Sequence, residues 1–259
     1  MGFFQVYLNG FILVMIMMTL VWIASVIIKN VSIVDIFWGF GFVLLSWLYF
    51  FQTDGYLVRK IILLVLVNIW GLRLSIYILW RNWGKEEDYR YQEFRKKHGK
   101  KYWWYSFFHT FLVQGLLMIL ISAPLLGAQI SARHRALNVF DFIAIALWII
   151  GFTFEAGGDL QMAKFKSKPE NKGKVMRKGF WKYTRHPNYF GDSTQWWGYG
   201  FFSIAAGSYL PALGTILMTL LIIKVSGVAL LEKSLKDKKP KYRDYIKKTS
   251  AFIPWFPQK

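Results

Sequence analysis

Several apolar runs, each long enough to cross a membrane, constrain this chain more than any other feature. The first covers residues 4–28, and about 20 apolar residues in a helix cross about 30 Å of hydrocarbon. It has no basic start and no small-residue cleavage site, and it is too long for the apolar part of a signal peptide. We therefore expect it to remain in the protein as a first transmembrane helix.

Six further runs predict an all-α polytopic membrane protein, a single integral membrane domain over residues 1–259 built as a bundle of about seven transmembrane helices. Hydrophobic residues make up 55% of the chain and aromatic residues 19%, as expected for helices surrounded by lipid. The predicted spans are residues 4–28, 33–51, 57–80, 107–130, 138–165, 189–206 and 208–231. The predicted hydrophilic parts are the loops 81–106 and 164–188 and the tail 232–259.

The distribution of basic residues predicts the orientation of the chain. Lys and Arg number 33 against 14 Asp and Glu, a net charge of +19, and the three strongly basic segments follow the third, fifth and seventh predicted spans. All three then lie on one side, which the positive-inside rule makes cytoplasmic. We predict a protein of a bacterial inner membrane with its N-terminus outside and its C-terminus in the cytoplasm. Because the basic residues lie between apolar spans, they complement anionic headgroups, and nucleic acid is not expected as a partner.

The rarer residue types exclude several kinds of site. The chain has no cysteine, which excludes disulfides, thiolate metal sites and cysteine nucleophiles. Its four histidines are scattered, and no His-Glu-X-X-His pattern is present, so no metal site is predicted. A Rossmann glycine fingerprint is also missing, so a dinucleotide would have to be bound between helices by another kind of site.

The densest group of polar side chains is the motif at residues 183–192, Tyr-Thr-Arg-His-Pro-Asn-Tyr-Phe-Gly-Asp. Arg185 can bind a phosphate or carboxylate with two parallel hydrogen bonds. Asn188 can bind an amide or ribose edge, and Asp192 can accept from ribose hydroxyls. The motif predicts a nucleotide-binding site at a helix end, although snorkelling side chains and an aromatic belt at a membrane interface produce a similar composition.

Polar residues inside the predicted spans are further candidates, because ionisable groups are costly in a membrane. Asp35 lies near the start of the second span, where it could act in a functional site or simply as an acidic residue at a helix N-terminus. Arg73 and Tyr77 are one helical turn apart on the third span. Their depth in the span favours a cavity or a ligand over snorkelling.

Several motifs beyond residues 183–192 carry a resemblance to a known family. They are Ser32-Ile-Val-Asp35-Ile-Phe-Trp-Gly39, Trp70-Gly-Leu-Arg73 with Tyr77, Arg81-Asn82 with Glu87-Asp88-X-Arg90-Tyr91, Glu155 with Asp159-Leu-Gln161, Lys172-Gly-Lys174, and Phe252-Ile-Pro254-Trp-Phe-Pro257. Together they resemble the bacterial membrane proteins with a steroid 5α-reductase C-terminal domain, which are related to membrane sterol reductases and isoprenylcysteine methyltransferases. The resemblance covers nearly the whole chain.

The resemblance implies a seven-helix, NADPH-dependent reductase that transfers hydride to the β-carbon of an enone. Cationic side chains suit the phosphates of this cofactor, and Asn or Asp suits its ribose and carboxamide groups. The cofactor-binding residues that it implies are Arg73, Asn82, Asp159, Lys166, Lys174, Tyr183, Arg185, Asn188, Tyr189, Asp192 and Glu232.

The family's substrate-binding residues match this chain less completely. A Gln-Glu pair and a Tyr hold the substrate carbonyl in the steroid enzymes, and these positions fall on Val34-Asp35 and near Trp70. The Gln and the Tyr are therefore missing, which leaves Asp35, Trp70 and Tyr77 as the catalytic candidates, with Asp35 as the hydrogen-bond or proton donor to the carbonyl. The expected substrate is a 3-oxo-Δ4 steroid or similar lipid enone that enters from the bilayer, and a monomer is favoured.

Two other functions fit parts of the pattern. An S-adenosylmethionine-dependent methyltransferase of the isoprenylcysteine type uses a related Arg-His-Pro motif, but it needs no basic phosphate site. The basic residues that predict such a site here are Lys166, Lys172, Lys174, Arg177 and Lys178. A non-enzymatic lipid-binding protein or scaffold would lack buried polar groups, and the residues that argue against it are Asp35, Arg73, Asp159 and Asp192.

Overall fold

The structure is a computed structural model that describes residues 1–131, 136–225 and 240–258. Over these ranges the chain is all α-helical, and its only strand-like pairing is a single bridge between Thr184 and Ser250. The helices are α1 Phe3–Ile27, α2 Val34–Gln52, α3 Leu57–Asn82, α4 Tyr89–His98, α5 Tyr102–Ser106, α6 Val113–Ile130, α7 Val139–Lys166, α8 Pro187–Ala205, α9 Leu213–Leu220 and α10 Pro240–Lys248.

Five helical segments of the described chain are long and apolar enough to cross a membrane. They are Phe3–Ile27, Val31–Gln52, Leu57–Asn82, Tyr89–Ile130 and Val139–Lys166. These segments confirm the predicted all-α polytopic membrane fold, and the first, second, third and fifth of them coincide with the predicted spans apart from small differences at their ends. The fourth segment is longer than predicted, because α4 and α5 lie in the predicted loop 81–106 and lead into the span.

The predicted sixth and seventh spans are less regular. The sixth corresponds to α8, which contains many polar residues, and the seventh begins in the shorter apolar segment Leu210–Lys224. The predicted end of the seventh span lies outside the described residues. A count of seven transmembrane helices therefore stays a prediction.

A short turn between α1 and α2 sets where α2 begins. Lys29 adopts a positive φ of 55°, and the Asn30 side chain then accepts a hydrogen bond from the Ser32 backbone N–H at 3.0 Å. This cap holds the 3₁₀ turn Val31–Ile33, which continues directly into α2. As a result Asp35 lies in the first turn of α2, as an acidic residue near a helix N-terminus.

The described chain divides into two compact units, and the first contains Met1–Leu137 and Phe202–Gly214. In this unit α2 and α3 approach most closely at Gly39 and Gly71. A Cβ added to either glycine would lie within 2.7 Å of the other's carbonyl oxygen, so the close approach requires both to be glycine. Trp70, next to Gly71, is completely buried and its ring packs against Phe42.

The second unit contains Asn138–Phe201 and Thr215–Lys259. Its long helix α7 begins with a capping box, in which Asn138 and Asp141 exchange hydrogen bonds with each other's backbone.

The backbones of helices α7 and α8 are in direct contact at Gly191. A side chain at this position would overlap the backbone of Gly151 and Glu155. Small residues allow such contacts between membrane helices.

Candidate functional site

Asp35 is the centre of a group of polar side chains in the first unit. Its Oδ2 lies 3.0 Å from Arg90 Nη2, and its Oδ1 accepts a hydrogen bond from the Tyr91 hydroxyl at 2.8 Å. Tyr91 is 6% exposed, and its hydroxyl also accepts a longer hydrogen bond, 3.3 Å, from Gln114 Nε2. We refer to Asp35, Asp88, Arg90, Tyr91 and Gln114 as the Asp35 cluster.

Arg90 connects two carboxylates of this cluster. Its Nε lies 2.9 Å from Asp88 Oδ1, while its Nη2 reaches Asp35. Asp88 is also the N-cap of α4, because its Oδ1 accepts from the Arg90 backbone N–H at 3.0 Å. The cap fixes the first turn of α4, so the side chains of Arg90 and Tyr91 both face Asp35.

Asp88 lies outside the membrane-spanning helices, and its ionisation depends on Arg90. Partial burial acts to raise the pKa of Asp88, but the hydrogen bonds and charge of Arg90, with a further contribution from Arg81, outweigh it. The pKa of Asp88 is therefore lower than that of an ordinary aspartate. Asp88 is consequently an anion at neutral pH, and it holds Arg90 in place.

A second set of contacts fixes the segment before and along α4 onto the start of α2. Glu87 Oε1 accepts from the Val31 backbone N–H at 2.7 Å, and both Glu87 oxygens bind Arg95 at 2.9 Å. The Asp88 backbone N–H donates to Ser32 Oγ at 3.2 Å. These contacts place a charged segment, predicted as a solvated loop, directly over Asp35.

The other candidates in the first unit lie along α3. Arg73 is 5.9 Å from the centre of the Tyr77 ring, and Arg81 is 5.7 Å from the same ring. Asn82, the last residue of α3, accepts a hydrogen bond from Arg81 Nε at 3.3 Å. Trp70, in contrast, lies wholly inside the helix packing. The predicted roles of these residues stay predictions.

In the second unit, two predicted cofactor residues lie together. Asn188 Nδ2 donates to Asp159 Oδ1 at 3.3 Å, which joins the start of α8 to α7. Asp159 is 7% exposed. One turn earlier on α7, Glu155 binds the Gln195 amide, so polar groups follow one another along the helix contact. Tyr189 stacks on His186 with a ring separation of 5.6 Å, and Asp192 follows on α8.

A cavity of about 410 Å³ in the second unit carries two basic side chains. Lys174, Val175, Arg177 and Asp244 line it, and Arg177 Nη1 lies 2.9 Å from Asp244 Oδ2. Lys174 is one of the predicted cofactor residues and Arg177 one of the basic residues predicted beside the phosphate site, whereas Asp244 was not predicted. Lys166 is exposed at the end of α7, and Glu232 lies outside the described residues.

Arg185 and its neighbours bind the C-terminal tail of the chain. Arg185 is 7% exposed, and its Nη1 donates to the carbonyl oxygens of Ile246 and Thr249. The Thr184 hydroxyl donates to the Phe252 carbonyl at 2.9 Å, and the Tyr183 carbonyl accepts from the Trp255 backbone N–H at 2.9 Å. The first three residues of the predicted nucleotide motif, Tyr183, Thr184 and Arg185, therefore hold the tail.

Tyr245 completes this attachment. Its hydroxyl donates to the Trp181 carbonyl oxygen. Burial, together with the neighbouring Tyr242, raises the pKa of the Tyr245 phenol above its ordinary value. The phenol therefore remains neutral and keeps its donor proton at any pH near neutrality.

Comparison with known proteins identifies the family. A profile of the family described as "Protein of unknown function (DUF1295)" matches residues 21–249, well over half of the chain. The chain belongs to DUF1295. An uncharacterized protein of the fission yeast Schizosaccharomyces pombe is 29% identical over 278 aligned residues, which cover 96% of this chain and 79% of the yeast protein. No solved structure gives a significant match.

Sequence reasoning on this DUF1295 chain found Asp35 but missed its partners. Arg90 and Tyr91 were noted only as part of a motif, and Gln114 was not among the predicted site residues. The available signal in the sequence was Tyr91, an aromatic residue in an otherwise charged stretch that follows the acidic N-cap Asp88. Tyr91 is the buried residue of α4. Charged segments are usually solvated faces, and residues 81–106 were predicted to form a cytoplasmic loop.

Proposed function

We propose that this protein is an NADPH-dependent membrane reductase that transfers hydride to the C=C bond of a lipid-like enone. The observation that carries the proposal is the Asp35 cluster, in which a buried phenol is held by a carboxylate, a guanidinium and an amide. A phenol placed in this way is a suitable hydrogen-bond donor to the oxygen of an enone, where negative charge develops as hydride arrives.

In this proposal Tyr91, and not Asp35, is the donor to the substrate oxygen. Both Asp35 oxygens accept hydrogen bonds, one from Tyr91 and one from Arg90. A carboxyl group with this surrounding acts as an acceptor that orients the phenol. Tyr91 thus replaces the substrate-binding tyrosine that the family resemblance implies and that this chain lacks near Trp70. Asp35 and Arg90 position Tyr91.

The reaction would balance with NADPH and one proton from solvent. A bound NADPH would supply the hydride for the β-carbon of the enone. The Tyr91 hydroxyl has one proton, which it donates to Asp35 in the substrate-free protein, and it would turn this proton to the carbonyl oxygen as negative charge develops there. A solvent proton added at the α-carbon would then restore the ketone. Gln114 donates to the Tyr91 oxygen and so would stabilise the phenol as its own proton is drawn towards the substrate.

The residues of the second unit fit a phosphate-bearing nucleotide. Lys174 and Arg177 face a cavity of about 410 Å³, and ligand sites commonly measure about 300–1,000 Å³. Two cations in such a cavity suit phosphate oxygens. Asp159 and Asn188 would bind ribose or carboxamide groups, with Asp192 and Tyr189 following on α8. We place this site on the cytoplasmic side, where the positive-inside rule puts the basic segments.

The substrate class rests on the family resemblance and on the apolar surroundings of α3. Ile76, Leu79, Trp80 and Trp83 line a depression of about 400 Å³ near the end of this helix. A flat apolar molecule dissolved in the bilayer suits such a surface. We propose a 3-oxo-Δ4 steroid or a similar lipid enone, taken up from the membrane by a protein that works as a monomer.

The first experiment measures which cofactor binds. The purified protein in detergent is heated with NADPH, NADH or S-adenosylmethionine, since a ligand at 100 times its dissociation constant adds roughly 2.7 kcal/mol to stability. NADPH alone is expected to raise the unfolding temperature. Consumption of NADPH is then followed optically with progesterone and with a short water-soluble enone as substrates, and only the steroid is expected to react.

Three outcomes would contradict all or part of the proposal. Stabilisation by S-adenosylmethionine alone would favour the methyltransferase that the Arg-His-Pro motif also allows. Stabilisation by none of the three, in a protein that unfolds cooperatively, would favour a lipid-binding protein without enzymatic activity. Stabilisation by NADPH with no turnover of any enone would support NADPH as the cofactor but exclude an enone as the substrate.

A further inference from the structure

A cluster of lysines lies where α4 ends and the fourth membrane segment begins. Lys96 and Lys97 are in the last turn of α4, and Lys100 and Lys101 are in the 3₁₀ turn that follows. All four are exposed, and no ion pair involves them within residues 1–131. The nearest acidic residue before them is Glu93, and no other follows until Asp141.

We propose that Lys96, Lys97, Lys100 and Lys101 form a binding surface for the phosphate groups of anionic phospholipids. We call these four residues the lysine surface. Clusters of basic residues next to a membrane helix attract anionic headgroups. Glu93 lies one turn before Lys96 and Lys97 on α4, where it can balance at most one of the four charges, so the lysine surface keeps an excess of positive charge. The proposal does not rest on the reductase activity.

Exposed aromatic residues place the lysine surface at the level of the headgroups. Trp103 is 54% exposed, Trp104 42% and Phe108 54%. They come directly after the lysines, on α5 and the start of the apolar segment. Exposed tryptophans concentrate at the boundary between headgroups and acyl chains, so the ammonium groups that precede them lie where lipid phosphates are found.

A stack of rings fixes the backbone that carries the lysines. The His98 ring lies 3.8 Å from the Tyr105 ring, and Tyr105 stacks in turn on His109 at 5.4 Å. Trp22 Nε1 donates to the Trp103 carbonyl at 2.9 Å, which ties α5 to α1. Because the backbone is held in place, headgroup binding orders only the lysine side chains, which favours affinity.

The test compares lipid binding by the intact protein and by a charge variant. Native mass spectrometry counts the lipids retained from micelles containing equal amounts of phosphatidylglycerol and phosphatidylcholine. The wild-type protein is expected to retain phosphatidylglycerol preferentially. The variant with all four lysines of the surface changed to Gln is expected to lose at least about tenfold in phosphatidylglycerol occupancy, with phosphatidylcholine unchanged. Raised salt should weaken the preference, because exposed charges are screened.

Matched variants distinguish an effect of the lysine surface from an effect of the protein's overall charge. Replacing the exposed Lys168, Lys178, Lys247 and Lys248 by Gln changes the net charge equally, and binding should be kept. Replacing the lysine surface by Arg should also keep binding, since Arg keeps the positive charge and binds phosphate with its planar guanidinium group.

Three results would overturn the proposal. One is unchanged phosphatidylglycerol occupancy in the Gln variant, and another is an equal loss in the charge-matched control. The third is displacement of the lipid by inorganic phosphate at an ionic strength where sodium chloride has no effect, because a soluble phosphate compound would then be the ligand.

Discussion

The Tyr91 hydroxyl and the Asp35 carboxylate, 56 positions apart in the chain, are joined by a hydrogen bond of 2.8 Å. Tyr91 comes from a charged stretch after the third span, and Asp35 from the start of the second. Their contact buries a phenol beside a carboxylate whose charge Arg90 balances. It also gives the proposed reductase the substrate-polarising group that its sequence lacked at the expected position.

Replacing Tyr91 by Phe should reduce turnover of the enone by about 100-fold or more, because a hydrogen-bond donor to the developing oxyanion is lost. Stabilisation of the protein by NADPH should remain, since no predicted cofactor residue is altered. Steady-state NADPH consumption measures the first effect and thermal unfolding the second. Tyr89→Phe, at an exposed position on the same helix, is the control. A Tyr91→Phe variant with normal turnover would exclude Tyr91 as the donor.

Replacing Lys174 by Gln should weaken NADPH binding about tenfold and leave NADH binding unchanged, because only NADPH carries a phosphate on its adenosine ribose. Titration of each dinucleotide against the unfolding temperature gives the two affinities. Lys172→Gln, two residues away, is also at an exposed position but does not line the cavity, so it should have little effect. Equal weakening of both dinucleotides would show that Lys174 does not distinguish them.

The contribution of Asp88 to stability should depend on pH. Its pKa is lowered in the folded protein, so the stabilisation is present above the unfolded value, about 3.9, and is lost as pH falls through the lower folded value. Wild type should therefore unfold at a higher temperature than Asp88→Asn at neutral pH, and the difference should shrink below about pH 4. Glu86→Gln, at an exposed position, should show no such dependence. A difference that grew on acidification would contradict the ion pair with Arg90.

Replacing Arg185 by Ala should release the C-terminal tail, since the carbonyls of Ile246 and Thr249 lose their donor. We expect a loss of about 1–3 kcal/mol in stability and faster protease cleavage near α10. Arg243→Ala, an exposed change within α10, controls for local charge. If the tail stayed protected while NADPH binding was lost, Arg185 would belong to the cofactor site, as its sequence motif predicts.

The first five membrane segments could be predicted from the sequence, because long apolar runs leave a chain in lipid only one kind of backbone structure. The same reasoning could not decide whether α8 crosses the membrane, because its polar residues are compatible with either a transmembrane span or a shorter helix. Its packing depends on Gly191 meeting Gly151 on α7. A single glycine does not indicate which helix it will contact.

The candidate site could be predicted only in part, for a related reason. Asp35 could be identified as a candidate because a carboxylate in an apolar run is costly. Arg90 and Tyr91 could not be identified as its partners. They belong to a charged stretch whose position is fixed by the tertiary contacts of Glu87 and Ser32. Arg185 was predicted to bind phosphate, but nothing local in the sequence indicates that tail carbonyls occupy its Nη1 group.

The attachment of the tail also sets the order of events during synthesis. The groups of residues 181–185 obtain their partners from residues 245–255, which are synthesised later than the helices before them. Those helices can already be inserted in the bilayer when residues 245–255 leave the ribosome. This part of the protein therefore completes its fold only after residues 245–255 have been made, and a chain truncated before Tyr245 would leave the carbonyl groups of residues 181 and 183 without these partners.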